Sequence, residues 1–375
     1  HDELAEIVDK YGDERRTEII PATGDVTDED LIARENVVVT ITSTGYAKRT
    51  KVDSYKAQKR GGKGVRGAEL KQDDIVKNFF VCSTHDWILF FTNFGRVYRL
   101  KAYELPEGGR AARGQHVANL LEFQPEEKIA QVIQIQSYED APYLVLATQQ
   151  GRVKKSRLTD YESARSAGLI AINLNEGDAL IGAQLVSEGD DILLTSEQGQ
   201  AIRFTADDDQ LRPMGRATAG VKGMRFRGDD QLLSMSVVHD GEFLLVATSG
   251  GYGKRTAIEE YTTQGRGGLG VMTFKYTPKR GKLIGAISVD EDDEIFAITS
   301  AGGVIRTEVD QIRPSSRATM GVRLVNLGDD VELLAIDRNV EEDGEEDAQA
   351  VAKGEKTVDE VQQEHKAGDA SKDEE

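Results

Sequence analysis

The sequence predicts an all-β, propeller-like disc of six blades, and three observations carry that prediction. First, the motif Ser/Thr-x-x-Gly-x-x-x-Arg/Lys recurs six times: Thr42 to Arg49, Thr92 to Arg99, Thr148 to Lys155, Ser196 to Arg203, Thr248 to Arg255 and Thr299 to Arg306. The glycines (Gly45, Gly95, Gly151, Gly199, Gly251, Gly302) stand 50, 56, 48, 52 and 51 residues apart. Second, another glycine follows each of them by 17 to 21 residues: Gly64, Gly114, Gly168, Gly220, Gly270 and Gly321. In five units it closes an Arg-x-x-x-Gly pattern. Third, each unit has the grammar of four strands, and a period of about 50 residues falls in the range of propeller blades. Helical periodicity is absent from the repeats, which argues against a helical solenoid.

The elements follow in chain order. Asp2–Thr17, with Leu4, Ile7, Val8 and Tyr11 at helical spacing, reads as the end of a helix that Gly12 terminates, and residues 1–36 as that arm and an acidic linker. His1 in place of a methionine reads as a fragment or processed chain. Residues 37–339 hold the six blades. Each opens with a β-rich run (Val37–Thr42, Trp87–Thr92, Tyr143–Thr148, Ile192–Thr195, Phe243–Thr248, Ile295–Thr299) and a glycine turn where a hairpin needs positive φ. An alternating strand follows, then a Gly/Arg loop, a short third strand, and a last apolar run such as Leu180–Val186 or Leu283–Val289. Residues 340–375, rich in Glu, Asp, Lys, Ala and Gln, are expected to form a disordered acidic tail.

Charge is distributed unevenly over the 375 residues. The formal net is −19, with −8 from His1 to Asn36 and −10 from Val340 to Glu375, whereas Val37 to Gln115 carries +8. The strongest cationic feature is Gln58-Lys59-Arg60-Gly61-Gly62-Lys63-Gly64, flanked by Lys48, Arg49, Lys51 and Arg66. Lysine and arginine neutralise phosphates, and glycine lets the main chain approach a ligand with its N–H groups, so such a loop suits a phosphate backbone. Cations recurring once per blade extend the pattern: Arg99, Lys155, Arg203, Arg255 and Arg306 end hairpins, and Arg110, Arg216, Arg266 and Arg317 lie in the loops. Arg96, Arg113, Lys154 and Lys254 join them as candidates. The alternative for the recurring cations is a structural pairing with carboxylates or carbonyls inside the blade.

Other chemistry is weakly signalled. Asp207–Asp209 and Asp290–Glu294 lack the glycine and spacing of a calcium loop and read as solvated turns. The five histidines are scattered, so no metal site is expected. Arg60–Gly67 lacks the Gly-Lys-Ser/Thr ending of a nucleotide loop. Cys82 is the single cysteine, which fits a reduced compartment. There is no apolar run of about 18 residues.

The box Gln58–Gly64, on the loop of the first of six such blades, resembles the one that distinguishes the C-terminal DNA-wrapping domain of DNA gyrase A subunits. Lys59 stands where the usual pattern has arginine. The stretches Leu4–Val8 and Tyr11–Thr17 also resemble the segment leaving the helical arm of the same family. Gln264-Gly265-Arg266-Gly267-Gly268-Leu269-Gly270 resembles a second, degenerate box of actinobacterial members, with Leu269 replacing its lysine.

The resemblance implies a six-bladed β-pinwheel, in which neighbouring blades exchange strands. Its rim would bend and wrap double-stranded DNA with positive handedness, so that the enzyme introduces negative supercoils. The implied partners are DNA, the rest of the A subunit, and the gyrase B subunit in an A2B2 assembly. That assembly would work in the cytoplasm at the nucleoid, with the piece alone monomeric. ATP and Mg would serve other domains, with no cofactor here. The family's catalytic tyrosine follows an arginine, and none of the 11 tyrosines here does, so no catalytic residue is expected. The competing readings are a topoisomerase IV-type bending domain and a protein-interaction propeller. A further expectation is that the acidic tail competes with DNA for the cationic first blades.

Overall fold

The hairpin motif folds the same way in every repeat. Its first strand (Asn36–Thr42, Trp87–Thr92, Tyr143–Thr148, Asp191–Ser196, Phe243–Thr248, Glu294–Thr299) is filled with β-branched, leucine and aromatic residues. The turn glycine has φ between +69° and +88° in all six, a conformation that other residues rarely adopt. The Ser/Thr of the motif secures the turn. Its hydroxyl accepts the N–H of the residue after the glycine in repeats one, three, four and five, at 3.1 to 3.3 Å from Tyr46, Arg152, Gln200 and Tyr252, and that of Gly303 in repeat six. Thr92 instead donates to Glu127 at 2.5 Å.

The computed structural model describes residues 1–12, 28–55, 74–162 and 167–368. They divide into two units, His1–Ala33 and Arg34–Glu375. In the first, helix α1 (Asp2–Tyr11) stops at Gly12, whose N–H donates to the Val8 carbonyl at 2.7 Å.

The second unit is the six-bladed disc. Within each antiparallel sheet the last strand of the repeat lies innermost, followed by the first and second strands. The outermost strand has two residues and comes from the following repeat. Gln115–His116 completes blade one, Leu169–Ile170 blade two, Val221–Lys222 blade three, Val271–Met272 blade four and Val322–Arg323 blade five. The short third strand read in each repeat therefore pairs with the preceding blade and not with its own. Blade six has three strands among the described residues, and the matching segment of repeat one, at 64–66, lies outside them. Gly114, Gly220, Gly270 and Gly321 stand where the exchanged strand enters. A Cβ there would collide with the carbonyls of Ala47, Val153, Ala201 and Gly253 in the blade being completed.

The sheets of blades one to five are apolar on both faces, and period-2 alternation divides their residues between two neighbours. Val37, Val39, Ile41 and Cys82 of blade one pack with Ile88, Phe90 and Tyr98 of blade two. Four further clusters join blades two to six in sequence. The innermost strands of all six blades line an axial cavity of about 590 Å³.

The other face of blade one is covered differently, and here the tail departs from expectation. Residues 341–353 and 358–368 are not disordered but form helices α2 (Glu341–Lys353) and α3 (Val358–Gly368). Ala348, Val351, Val358 and Val361 bury themselves against Val38, Val52, Tyr55, Val76, Phe79 and Val81. The few apolar residues of the tail recur at helical spacing, and a ready-made apolar sheet face gives them a place to pack. Gln362 adds donations to the Val81 carbonyl at 3.1 Å and to Asp86 at 3.0 Å. Gly344 rests directly on the Phe79 ring, where a Cβ would overlap it. Gly344→Val is expected to destabilise the disc by about 1–3 kcal/mol through overpacking and to raise amide hydrogen exchange across Glu341–Lys353. Unchanged exchange would show that α2 does not depend on this contact.

Candidate nucleic-acid interface

The position of a cation along the second strand of each blade decides whether it can meet a ligand. Three residues after the turn glycine, blades one, three and five carry Lys48, Lys154 and Lys254, and all three are buried. Lys48 Nζ donates to the carbonyls of Gly109 (3.1 Å) and Arg110. Lys154 donates to Ala171 and Arg216, and Lys254 to Ser316 (2.6 Å) and Arg317 (2.5 Å). Each ammonium thus ties down the Arg-x-x-x-Gly loop of the next repeat. Blades two, four and six have Tyr98, Ile202 and Ile305 at this place. Burial pushes Lys48 and Lys254 down to about 8, and Lys154 to about 7.

The next residue ends the motif, and it too is engaged. Arg49 donates to the Leu105 carbonyl at 2.9 Å and pairs with Glu107 at 3.0 Å. Arg99 lies 4.2 Å over the Trp87 ring and donates to the Tyr138 hydroxyl at 3.2 Å. Lys155 reaches the Ala206 carbonyl at 2.7 Å and Asp208 at 2.9 Å. Arg203 pairs with Asp191 (2.7 Å) and Asp240 (3.0 Å), Arg255 with Glu291 (2.8 Å), and Arg306 with Glu294. In both rows the side chains are engaged within the disc, although Arg306 stays exposed. The first is interior and the second faces blade contacts and carboxylates. The acidic turns at Asp208 and Glu291 supply two of those partners.

The loop candidates are also partly taken up. Arg110 stacks 4.4 Å over Tyr55 and pairs with Glu345 of α2. Arg266 donates to the carbonyls of Gln210 (2.5 Å) and Lys222 (2.6 Å), and Arg317 to that of Met272 at 3.4 Å. Arg216 is half-buried, its carbonyl held by Lys154. The loop Gln264–Gly270 is pinned through its backbone: Gln264 N–H to Arg203, Gly267 N–H to Gly223, and the Arg225 side chain to the Gly267 carbonyl, all at 2.7 to 2.8 Å. Lys51 is exposed and pairs with Glu35 at 3.1 Å. The box Gln58–Gly64 and Arg66 lie outside the described residues.

Among the described residues, Arg96 and Arg113 pair with no carboxylate, and the same holds for Arg152, Lys222, Arg280 and Arg323, which sequence reasoning missed. The signal for Arg152 was present in the repeat. Like Arg96, it occupies the position directly after the turn glycine, where the second strand pairs with the exchanged one.

The model of the DNA gyrase C-terminal domain, a β-propeller, matches residues 36–83, 86–136, 142–187, 190–239, 242–290 and 293–339, one segment per blade. The chain belongs to the DNA gyrase C-terminal domain family. It is 69% identical over 347 residues to the DNA gyrase A protein of Mycobacterium tuberculosis, covering 92% of this chain and 41% of that protein. To the gyrase A protein of Streptomyces coelicolor it is 62% identical over 345 residues, covering 91% and 40%. The chain thus spans about two-fifths of the length of these relatives. Among solved structures, a gyrase A C-terminal domain matches with TM-score 0.62 and 29% identity over 81% of this chain and 99% of its own. A topoisomerase IV C-terminal domain matches with TM-score 0.75 and 27% identity over 86% and 99%. Shape does not separate these two kinds of family member, whereas sequence identity places this one with the actinobacterial gyrase A proteins.

The buried lysines of this family member give a pH signature. Between the folded value of about 7 for Lys154 and the unfolded value near ~10.4, the unfolded chain binds the extra proton, so stability rises with pH in that window. Lys154→Met removes this contribution. Between pH 7 and 9.5 the wild-type chain is expected to gain stability more steeply than the variant, by up to about 1.4 kcal/mol per pH unit, in denaturant titrations. Parallel curves would show that Lys154 keeps its proton.

Proposed function

We propose that this domain binds, bends and wraps double-stranded DNA around its rim with positive handedness, as part of a gyrase that introduces negative supercoils. The observation that carries this is the match of all six blades to the gyrase domain together with the +8 concentrated in Val37–Gln115. Bending a site of 20–30 bp by 40–90° costs on the order of 1–6 kcal/mol, and wrapping costs a multiple of that. Phosphate contacts arrayed along a curved track must offset it, and a disc of repeated blades provides the curvature. The box Gln58–Gly64 is the main clamp. The contacts are sequence-tolerant, since phosphate recognition positions the duplex without reading bases. The rest of the A subunit, together with the B subunit, completes the reaction in an A2B2 enzyme. That enzyme works in the cytoplasm at the nucleoid, with ATP and Mg held by other domains.

A second reading follows from the higher TM-score of the topoisomerase IV domain: bending without constrained writhe. Ligation of a nicked plasmid in the presence of this chain separates the two. A positive linking change is expected, and none would support bending alone. Neutralising Lys59, Arg60 and Lys63 together is expected to abolish the linking change, and a triple variant that still constrained positive writhe would remove the box from its role.

Arg110, held by Glu345, is the point where the tail and DNA compete under this reading. Glu345→Gln is expected to tighten DNA binding several-fold at low salt while leaving the apolar contacts of α2 intact. Equal affinity would make the helices purely structural.

A further inference from the structure

A second pocket adjoins the axial cavity, bordered by helix α3 and by the innermost strands of blades one to four toward their C-terminal ends. Its volume is about 380 Å³, and Leu185 and Val237 line both it and the axial cavity. The walls are apolar, formed by Phe80, Val81, Leu185, Val186, Val237 and Val361. Apolar walls with a few convergent polar groups are the usual form of a small-molecule site.

The polar groups here are weighted toward acceptors. Gln362 lines the pocket from α3 and is only 6% exposed. Its Nε2 donates to the Val81 carbonyl and to Asp86, and because both partners are acceptors they fix which end of the amide is nitrogen. Oε1 is therefore turned away from them, and it is buried without a partner. Behind the amide stands a negative charge. Asp86, 5% exposed, accepts only from neutral groups: Gln134 Nε2 at 2.9 Å, Gln362 Nε2 at 3.0 Å and the Ser83 N–H at 3.1 Å. No cation pairs with it among the described residues. Burial raises the pKa of its carboxyl, and the nearby charge of Asp140 adds to that. A buried charge is costly until a counter-charge answers it. The Gln362 amide carries the polarity of Asp86 onward, with Nε2 to the carboxylate and Oε1 away from it. Asp140 and Asp190 line the same pocket, together with His239 and His365, and His365 is itself paired with Asp347.

We infer that this pocket is a binding site for a small organic cation, a primary ammonium on an apolar stem. The ammonium donates to Gln362 Oε1, Asp86, Asp140 and Asp190 supply the counter-charge, and the stem packs on the apolar walls. A metal ion suits the pocket less well, because its walls are hydrocarbon and the described residues contain no group of three His, Cys, Asp or Glu placed to hold one. An anion is disfavoured by the three carboxylates. The site does not depend on the DNA-wrapping reading.

Calorimetric titration of the whole chain with hexylammonium, 1-hexanol and hexanoate compares three probes that share a stem and differ in the head. A ligand of this size is expected to bind with a Kd on the order of 1 mM. Hexylammonium should bind saturably, about ten-fold or more tighter than the other two, and should shift the NMR ring signals of His239 and His365 but not of His116. Gln362→Leu and Asp190→Asn should each weaken it several-fold. Asp190→Asn keeps an oxygen for the Ser187 N–H, so it reads the charge with thermal melting unchanged even where Gln362→Leu disturbs the fold. Asp209→Asn makes the same charge change at an exposed residue outside the pocket and should match wild type. Equal binding of hexanol, wild-type affinity in Asp190→Asn, or an equal fall in Asp209→Asn overturns the cation assignment. Unmoved His239 and His365 signals, or no saturation by about 10 mM, overturn the site itself.

Discussion

Two-sided burial of the sheets of blades one to five is the constraint on which the rest of this structure depends. A strand whose residues alternate between two apolar faces leaves either face in water only at a cost, so blades one to five each have a neighbour on both sides. Blades two to five obtain them from the repeats before and after. Blade one has a sequence neighbour on one side only, and helices α2 and α3 cover Val38, Val76, Phe79 and Val81 on the other. A tail whose composition reads as unstructured is thus recruited into the core, because the energy of covering an apolar face exceeds the cost of ordering a short amphipathic pair. Gly344 marks the place where the helix backbone comes nearest to that face.

Exchange of the outermost strand solves a second problem. A blade without it would expose the ladder groups of its second strand, and a two-residue strand from the next repeat covers part of that edge while linking consecutive blades. The link is reinforced by charge. Lys48, Lys154 and Lys254 send ammonium groups inward to carbonyls of the incoming loop. Arg152 and Arg280 hold the same loops in blades three and five, and Arg96 holds the equivalent loop in blade two. Cations therefore supply cohesion in two places, inside the ladder and at the edge where the exchanged strand enters.

That distinction limits how much of the site was legible. The repeat, its turn glycines and the succession of strands in each unit could be read directly, because the spacing of Gly45 and its five counterparts reflects a backbone conformation that other residues rarely adopt. The box Gln58–Gly64 stood out by composition. The hairpin-ending cations Arg49 to Arg306 looked equivalent to surface residues because recurrence marks structural and binding residues alike. Arg280 gave no signal, since it substitutes in space for the position that Tyr252 occupies in the motif.

By itself the sequence determined the number of blades, their strands and the family, since these follow from local periodicity and from residues whose backbone roles are fixed. Only the tertiary structure decided which blade receives each short strand, which cations are buried, and that the acidic tail folds onto blade one. Those outcomes depend on neighbours far apart in the chain. Pairing partners such as Arg110 and Glu345, or Lys155 and Asp208, are set by how sheets pack and not by any spacing the chain displays.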